Sequence, residues 1–531
     1  MIRRLAPPTL FGLLGLLVSV WHANRPSFWF DELATVSAID RSPGELWRML
    51  GDIDVVHGLY YYAAALWAGT FGLGELSLRV FSSIGVGVAV ALMYVLARRL
   101  GGPGFAVVAA VIAILLPRVT WAGVEARSYA WVIAATTGML IAGHVAAQRP
   151  SRRRWLLYGL TVTLAVGLFL YTALAAAAAL VPLAWGAERG MRWCAARPAL
   201  IATVVPLAVL SPVIGLAATE KGQVDWLEWP GWMLPQNILV DQWFDHSWAF
   251  AAAAWALVAV AGLLLWRGGW RRWAAVLHWA LPVAWVPVLL VVGVSTISPM
   301  YVGRYLVCTV PGVVLALAVC VRVVADGAAR LRMPGRVGVA VLLVVLAVCA
   351  VPGYLWQRSP LSKPGGSDFS YAARYIRDHA RPGDCVLFQV QPSWSTTSLR
   401  IAYEGLPGDF VGLRDIGSDG DRRTDGVLWD RAKGVNQWAA WAAQNCTAAW
   451  VLADADRIDD ARHRENGNLI WTFRPFQFMG SDMQMSLDDG GLAVVHQEQF
   501  HILQVVHLER PPPAVGPDPQ ALPHTRHTYW R

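Results

Sequence analysis

Charge is scarce in this chain. Asp, Glu, Lys and Arg make up only 15% of its 531 residues, against 56% hydrophobic ones and a mean hydropathy of +0.43. A soluble domain could not cover so much apolar surface, so that class is excluded and a polytopic membrane protein remains. Cysteine is scarce as well: there are six, with no C-x-x-C pair and no zinc-ligand spacing. Cys194, Cys308, Cys320 and Cys349 fall in or beside apolar segments, where Cys behaves as a small hydrophobe. Cys385 and Cys446 lie in the C-terminal region, where a disulfide and two buried thiols are both open. P-loop and Rossmann glycine patterns are absent, and GGPG (101–104) reads as a turn rather than a phosphate loop.

The formal charge of +8 does not form a nucleic-acid footprint. It is spread over short basic joints between apolar runs: Arg3-Arg4, Arg98-Arg99, 148–155, 188–197, 266–272 and 322–336. The alternating segments are acidic or mixed. Residues 25–58 carry Asp31, Glu32, Asp40, Glu45, Asp52 and Asp54, and residues 219–245 carry Glu220, Asp225, Glu228, Asp241 and Asp245. Lys and Arg mark the cytoplasmic side, so the basic joints are expected inside and the acidic loops outside.

Eleven spans fit this alternation: 8–24, 77–97, 103–119, 128–147, 155–170, 172–187, 199–218, 247–266, 273–294, 303–321 and 337–353. The N-terminal segment is read as a retained first helix rather than a cleaved signal. Splitting 155–187 around Tyr171 keeps the Arg clusters inside. The first outer loop, 25–76, contains two stretches with apolar residues at helical spacing, read as helices lying on the membrane surface. Many of the 28 tryptophans sit near span ends as interfacial anchors. The expected organisation is therefore a transmembrane domain over 1–353, an extracytoplasmic α/β domain over 354–510 entered through a Pro/Gly/Ser-rich linker, and a Pro-rich disordered tail over 511–531.

Three constellations could carry chemistry, and all three are expected on the outer side. The first is SFWFDELATV, where Asp31 and Glu32 follow the first span among aromatics. Helix capping explains the acidity; deprotonating a hydroxyl or holding a divalent cation explains the position as well. The second, RVTWAGVEARSYAW, gathers Arg118, Glu125, Arg127 and Tyr129 in one turn. It is either an interfacial salt bridge or a guanidinium fork for phosphate. The third, SPMYVGRYL, sets Arg304 between Tyr301 and Tyr305 at the mouth of a span, as an anchor or as a phosphate ligand.

With 54–83 (DVVHGLYYYAAALWAGTFGLGELSLRVFSS), these motifs resemble the GT-C superfamily of integral-membrane glycosyltransferases, in its protein O-mannosyltransferase and aminoarabinose-transferase branch. The resemblance implies a polytopic helical fold and transfer of a sugar, mannose first, from a polyprenyl-phosphate donor to a glycan, lipid or protein hydroxyl at the cell membrane. It implies Asp31 as general base, with Glu32 assisting or binding a metal. It implies Arg127 and Arg304 on the donor phosphate, and His57, Glu125, Tyr129 and Tyr301 on substrate. A divalent cation is the one cofactor considered. The sequence departs from the pattern at Gly58 and Ser128, where such relatives often carry proline. Richness in Ala, Val, Arg and Trp hints at a GC-rich bacterial, actinobacterial-type envelope. A transporter or flippase of lipid-linked sugars, a pentosyl transferase of the same fold and an assembly factor are the competing readings. The first lacks its usual marks, mid-span ionisable residues and an internal repeat.

Overall fold

The computed structural model describes residues 2–184, 196–220, 222, 226–229, 231–329, 334–395, 397–465 and 468–511. Cys194, Asp225 and the Pro-rich tail from 512 onward lie outside the described residues, as does most of the basic joint 188–197.

The chain is helical as far as Trp356. In order come α1 (Ile2–Val20), α2 (Phe30–Ile39), α3 (Pro43–Met49), α4 (Gly58–Phe71), α5 (Glu75–Gly101), α6 (Pro103–Leu115), α7 (Pro117–Ala122), α8 (Tyr129–Gln148), α9 (Arg152–Leu168) and α10 (Thr172–Ala184). Then follow α11 (Ala196–Val209), α12 (Ser211–Thr219), the single turn α13 (Leu234–Gln236), α14 (Trp248–Leu264), α15 (Ala274–Ser295), α16 (Val310–Ala329) and α17 (Gly335–Trp356). A helix occupies each of the eleven positions expected for spans. Among the described residues, six helices are long and apolar enough to cross a membrane, or seven if α11 and α12, bent by 52°, form one span. Helices α1, α6, α9 and α10 fall short of that length or hydropathy, so the count of eleven is not established. The expected break near Tyr171 is present between α9 and α10. Close helix crossings use small residues: a Cβ on Gly312 would meet the Ala280 carbonyl oxygen at 2.5 Å, and one on Gly12 the Gly87 oxygen at 2.9 Å.

The 25–76 segment differs from the expected surface helices. Helix α3 has a capping box between Ser42 and Glu45 and is partly exposed. Helix α2, however, is enclosed, with every residue from Glu32 to Ile39 buried. The C-terminal domain lies on it. Gly405 packs so tightly on Leu33 that a Cβ there would meet the Leu33 Cδ2 at 2.4 Å. Ser37 donates to the Leu428 carbonyl, and Arg422 and Arg423 reach Asp40 at 3.2 and 2.6 Å.

That domain is α/β. It comprises α18 (Phe369–His379), β1 (Cys385–Phe388), α19 (Ile401–Gly405), β2 (Arg414–Asp415), α20 (Arg422–Asp425), α21 (Val435–Asn445), β3 (Ala448–Asp454), β4 (Ala461–Glu465), β5 (Asn468–Phe473), α22 (Asp482–Asp489), β6 (Ala493–Gln499) and β7 (Leu503–Glu509). The sheet order is β2-β1-β3-β7-β6, parallel at β2-β1-β3 and antiparallel beyond, with β4-β5 a separate hairpin. Cys385 and Cys446 form a disulfide across a separation of 61 residues. The segment read as a linker is packed in place. Arg358 lies over Tyr354 and donates to carbonyls of Val18, Ser19 and Trp21, while Gln357 bonds Thr120 and Asp245. One continuous apolar core runs from the helices into this domain.

Candidate active site

Backbone geometry at the start of α2 decides what the acidic pair can do. Trp29 is the N-cap, in extended conformation, so Asp31 and Glu32 stand in the first turn and neither is the cap. Successive helix positions point about 100° apart, and the two carboxylates enter different surroundings.

Glu32 points inward and is fully buried. Arg79 of α5 grips it with two bonds, Nε to Oε1 at 2.9 Å and Nη2 to Oε2 at 2.7 Å. The Ala126 amide donates to Oε1 at 2.8 Å, and Lys363 Nζ lies 3.5 Å from Oε2. Burial alone would raise this carboxyl, but Arg79, Lys363 and the hydrogen bonds together hold it below its ordinary range. Arg79 also donates to the carbonyls of Ala23, Pro26 and Ser27, shaping the turn after α1. Three hydrogen bonds and one ion pair engage both oxygens of Glu32. The geometry therefore disfavours it as a metal ligand or auxiliary base, and among the described residues no cluster of three His, Cys, Asp or Glu side chains could hold a metal.

Asp31 stays accessible, its side chain 21% exposed. Arg304, at the start of the 3-10 turn Gly303–Thr309, brings Nη2 to 3.8 Å from Asp31 Oδ2. The Arg304 guanidinium lies 5.4 Å from the ring centres of both Trp29 and Tyr305. On the other side, Arg127 donates to the Asp31 carbonyl at 3.3 Å and to the Tyr61 hydroxyl at 2.9 Å, and its Nη2 meets His57 Nε2 at 2.8 Å. Burial, then Arg127 and Arg304, hold His57 well below its usual range. It is therefore neutral and accepts from Arg127. Its ring stacks on Phe169 at 5.4 Å. Tyr61 in turn donates to Asp54 at 2.6 Å.

A third layer joins these. Glu125 accepts from Trp29 Nε1 at 3.0 Å and from Lys363 Nζ at 2.5 Å. Burial pushes its carboxyl up to about 7, Lys363 opposing and Glu32 adding to the effect. Behind Glu125 and Lys363 opens a cavity of about 580 Å³ between the helices and the C-terminal domain, its walls including Trp121, His246, Arg462 and His501.

Of the residues read from the sequence, Asp31, His57, Arg127 and Arg304 converge directly, and Glu32 and Glu125 form the adjoining buried network. Tyr129 sits nearby, its ring 6.3 Å from Phe169. Tyr301 does not join; it donates to Gln242 at 3.1 Å. Arg118 also leaves the group it was placed in and pairs with Asp245 at 3.0 Å. Gly58 begins α4 at φ −52°, within proline's range, so the departure from the relatives' proline leaves the helix start intact. Sequence reasoning missed Arg79, Lys363 and Tyr61. A lone arginine inside an apolar run marks the first. The second is one of only three lysines in a chain with 41 arginines.

This scaffold finds counterparts among known proteins. The fold is that of the GT-C integral-membrane glycosyltransferases. ArnT from Cupriavidus metallidurans matches it with undecaprenyl phosphate bound, at TM-score 0.53 and 15% identity over 94% of this chain and 97% of that one. Apo ArnT matches over the same shares at TM-score 0.53 and 16% identity. The Archaeoglobus fulgidus oligosaccharyltransferase, in complex with Zn and sulfate, aligns at only TM-score 0.41 and 12% identity, over 83% and 67% of the two chains, and supports no argument. The family model for dolichyl-phosphate-mannose-protein mannosyltransferase matches residues 59–215. No curated protein sequence matches the chain.

Proposed function

We propose that this protein is a polyprenyl-phosphate-sugar-dependent glycosyltransferase that moves a sugar, mannose on the family model's description, to a hydroxyl of a glycan, lipid or protein acceptor. The observation that carries this reading is the accessible Asp31, whose carboxylate lies 3.8 Å from the buried Arg304 guanidinium and whose backbone carbonyl accepts from the buried Arg127.

A donor whose leaving group is a phosphate needs little protonation. The enzyme's task is to deprotonate the acceptor hydroxyl, align it for in-line attack and receive the departing charge. Asp31 acts as the base. Arg304 takes the phosphate, its planar fork steadied against the faces of Trp29 and Tyr305. Arg127, pinned by Tyr61 and His57, supplies the second positive charge. Glu32 is a positioning residue: with Arg79 it fixes the first turn of α2 and so the direction of Asp31. The acceptor enters from the cavity against the C-terminal domain, which selects it.

The site works on the extracytoplasmic face of the cell membrane. The disulfide favours an oxidising compartment, and the arginine-rich joints Arg98-Arg99 and Arg152 to Arg154 lie at the opposite ends of their helices.

The test is transfer of radiolabel from polyprenyl-phosphate-mannose, with polyprenyl-phosphate-arabinose offered in parallel, in membranes carrying wild type or Asp31→Asn at equal expression. Label moved by wild type and lost with Asn supports the enzyme and its base, and the donor used names the sugar. Equal transfer by both removes Asp31 from the chemistry. Vectorial movement of donor without transfer makes the protein a flippase.

A further inference from the structure

We propose that Lys363 is a positioning residue of the Asp31 centre: it holds Glu125, Glu125 fixes Trp29, and the Trp29 ring presents Arg304 to the donor phosphate. The proposal rests on the donor-phosphate role given to Arg304 above.

Lys363 arrives from the segment that follows α17, outside the helices that carry the rest of the site. Its ammonium is 3% exposed; it donates to Glu125 Oε1 at 2.5 Å and to the Val124 carbonyl at 2.6 Å, and forms an ion pair with Glu32 Oε2 at 3.5 Å. It is buried and committed to these three oxygens. Its influence must pass through its partners. The second oxygen of Glu125 accepts from Trp29 Nε1 at 3.0 Å, which fixes the plane of the indole. The face of that indole lies under Arg304, whose guanidinium stands 3.8 Å from Asp31. A chain of contacts thus runs from the segment entering the C-terminal domain to the proposed phosphate ligand.

The pair with Lys363 is sensitive to pH. The charged groups facing Glu125 are Lys363 from the connecting segment, Glu32 from α2 and Arg79 from α5. Burial lifts the Glu125 carboxyl to about 7, and Lys363 is the main influence holding it down. As pH falls through that value Glu125 gains a proton, its pairing with Lys363 weakens, and Trp29 loses a charged anchor. Without Lys363 the carboxyl holds its proton to higher pH.

The experiment uses the purified full-length protein and radiolabelled undecaprenyl phosphate, with binding measured from pH 5.5 to 8.5. Wild-type affinity is expected to fall several-fold as pH drops through about 7. Glu125→Gln, which keeps an acceptor oxygen without the titration, should keep only the shallower dependence set by the second ionisation of the phosphate monoester itself. Lys363→Met should move the step upward by about one pH unit or more, and Lys363→Arg should return it. Superimposable profiles for wild type, Glu125→Gln and Lys363→Met overturn the proposal, as does a uniform loss in Lys363→Met with its step unmoved. Should Lys363→Met fail to fold, a Glu125→Gln profile as steep as that of wild type overturns it by itself. No sugar or acceptor is present, so loss of the base reading of Asp31 leaves this result unmoved. Absence of binding by wild type at every pH sinks the donor reading, and this proposal with it.

Discussion

Glu32→Gln and Asp31→Asn are adjacent, nearly isosteric substitutions, and the structure expects opposite consequences. Glu32→Gln removes the one carboxylate that, among the described residues, pairs with Arg79, a guanidinium wholly shielded from solvent. The amide can accept one of the two bonds but cannot balance the charge, and its NH₂ group faces a donor. Removing one partner of a buried pair costs about 3–5 kcal/mol. Lys363 recovers little of this, because it is already committed to Glu125. Asp31→Asn removes a carboxylate that is 21% exposed and 3.8 Å from Arg304, so water reaches it as it does not reach Glu32, and its loss should cost far less. The assay pairs thermal unfolding of the detergent-solubilised protein with the radiolabel transfer. Glu32→Gln should melt well below wild type. Asp31→Asn should melt with wild type and transfer about 10²–10⁴-fold more slowly. The reasoning is refuted if Glu32→Gln melts with wild type yet transfers nothing, since Glu32 would then act in the chemistry.

Arg304→Lys keeps the charge but loses the planar fork lying against Trp29 and Tyr305, so donor KM should rise about tenfold or more with the melting temperature unchanged. Gly405→Ala drives a methyl into Leu33 on the helix that carries Asp31; a loss of about 1–3 kcal/mol and slower transfer are expected, read by melting and by the transfer assay. Replacing both Cys385 and Cys446 by Ser frees a loop of 61 residues in the unfolded chain, a loss of about 4 kcal/mol on the chain-entropy model, seen as a lower melting point for the oxidised protein alone. Glu404 is raised to about 8 by burial, with Asp430 adding and Arg422 and Arg400 opposing. A carboxyl raised in the folded state stabilises most below its unfolded pKa and loses that contribution as pH climbs through the folded value. Melting of wild type should therefore rise as pH falls from about 8 to about 5, and Glu404→Gln should flatten that rise.

Local composition determined much of this molecule. Apolar runs broken by arginine-rich joints specify the helices, because the backbone inside a bilayer must bond to itself and Lys or Arg there is costly. The same logic located the break near Tyr171, and the change of composition after the last apolar run marked an α/β domain in the C-terminal part. The hairpin β4-β5, strand β2 and helix α22 were not legible: β2 has two residues, and β4 (ARHRE) carries charge where a strand pattern would alternate. At the site, Asp31, Arg127 and Arg304 stood out as charges beside apolar segments. Which of two neighbouring carboxylates is accessible was not written in DELATV. That depends on Arg79, 47 residues away, and on Lys363, 238 residues from Glu125, filling the inward side of α2. The linker composition of 354–368 likewise concealed the buried anchors Gln357, Arg358, Lys363 and Asp368, because Pro, Gly and Ser describe local stiffness and say nothing about what packs above. Period and polarity are short-range properties, fixed by each residue's own preference for water, lipid or a turn. Whether a charge is paired, saturated or free to accept a proton is a property of the space around it, and only the tertiary structure fills that space.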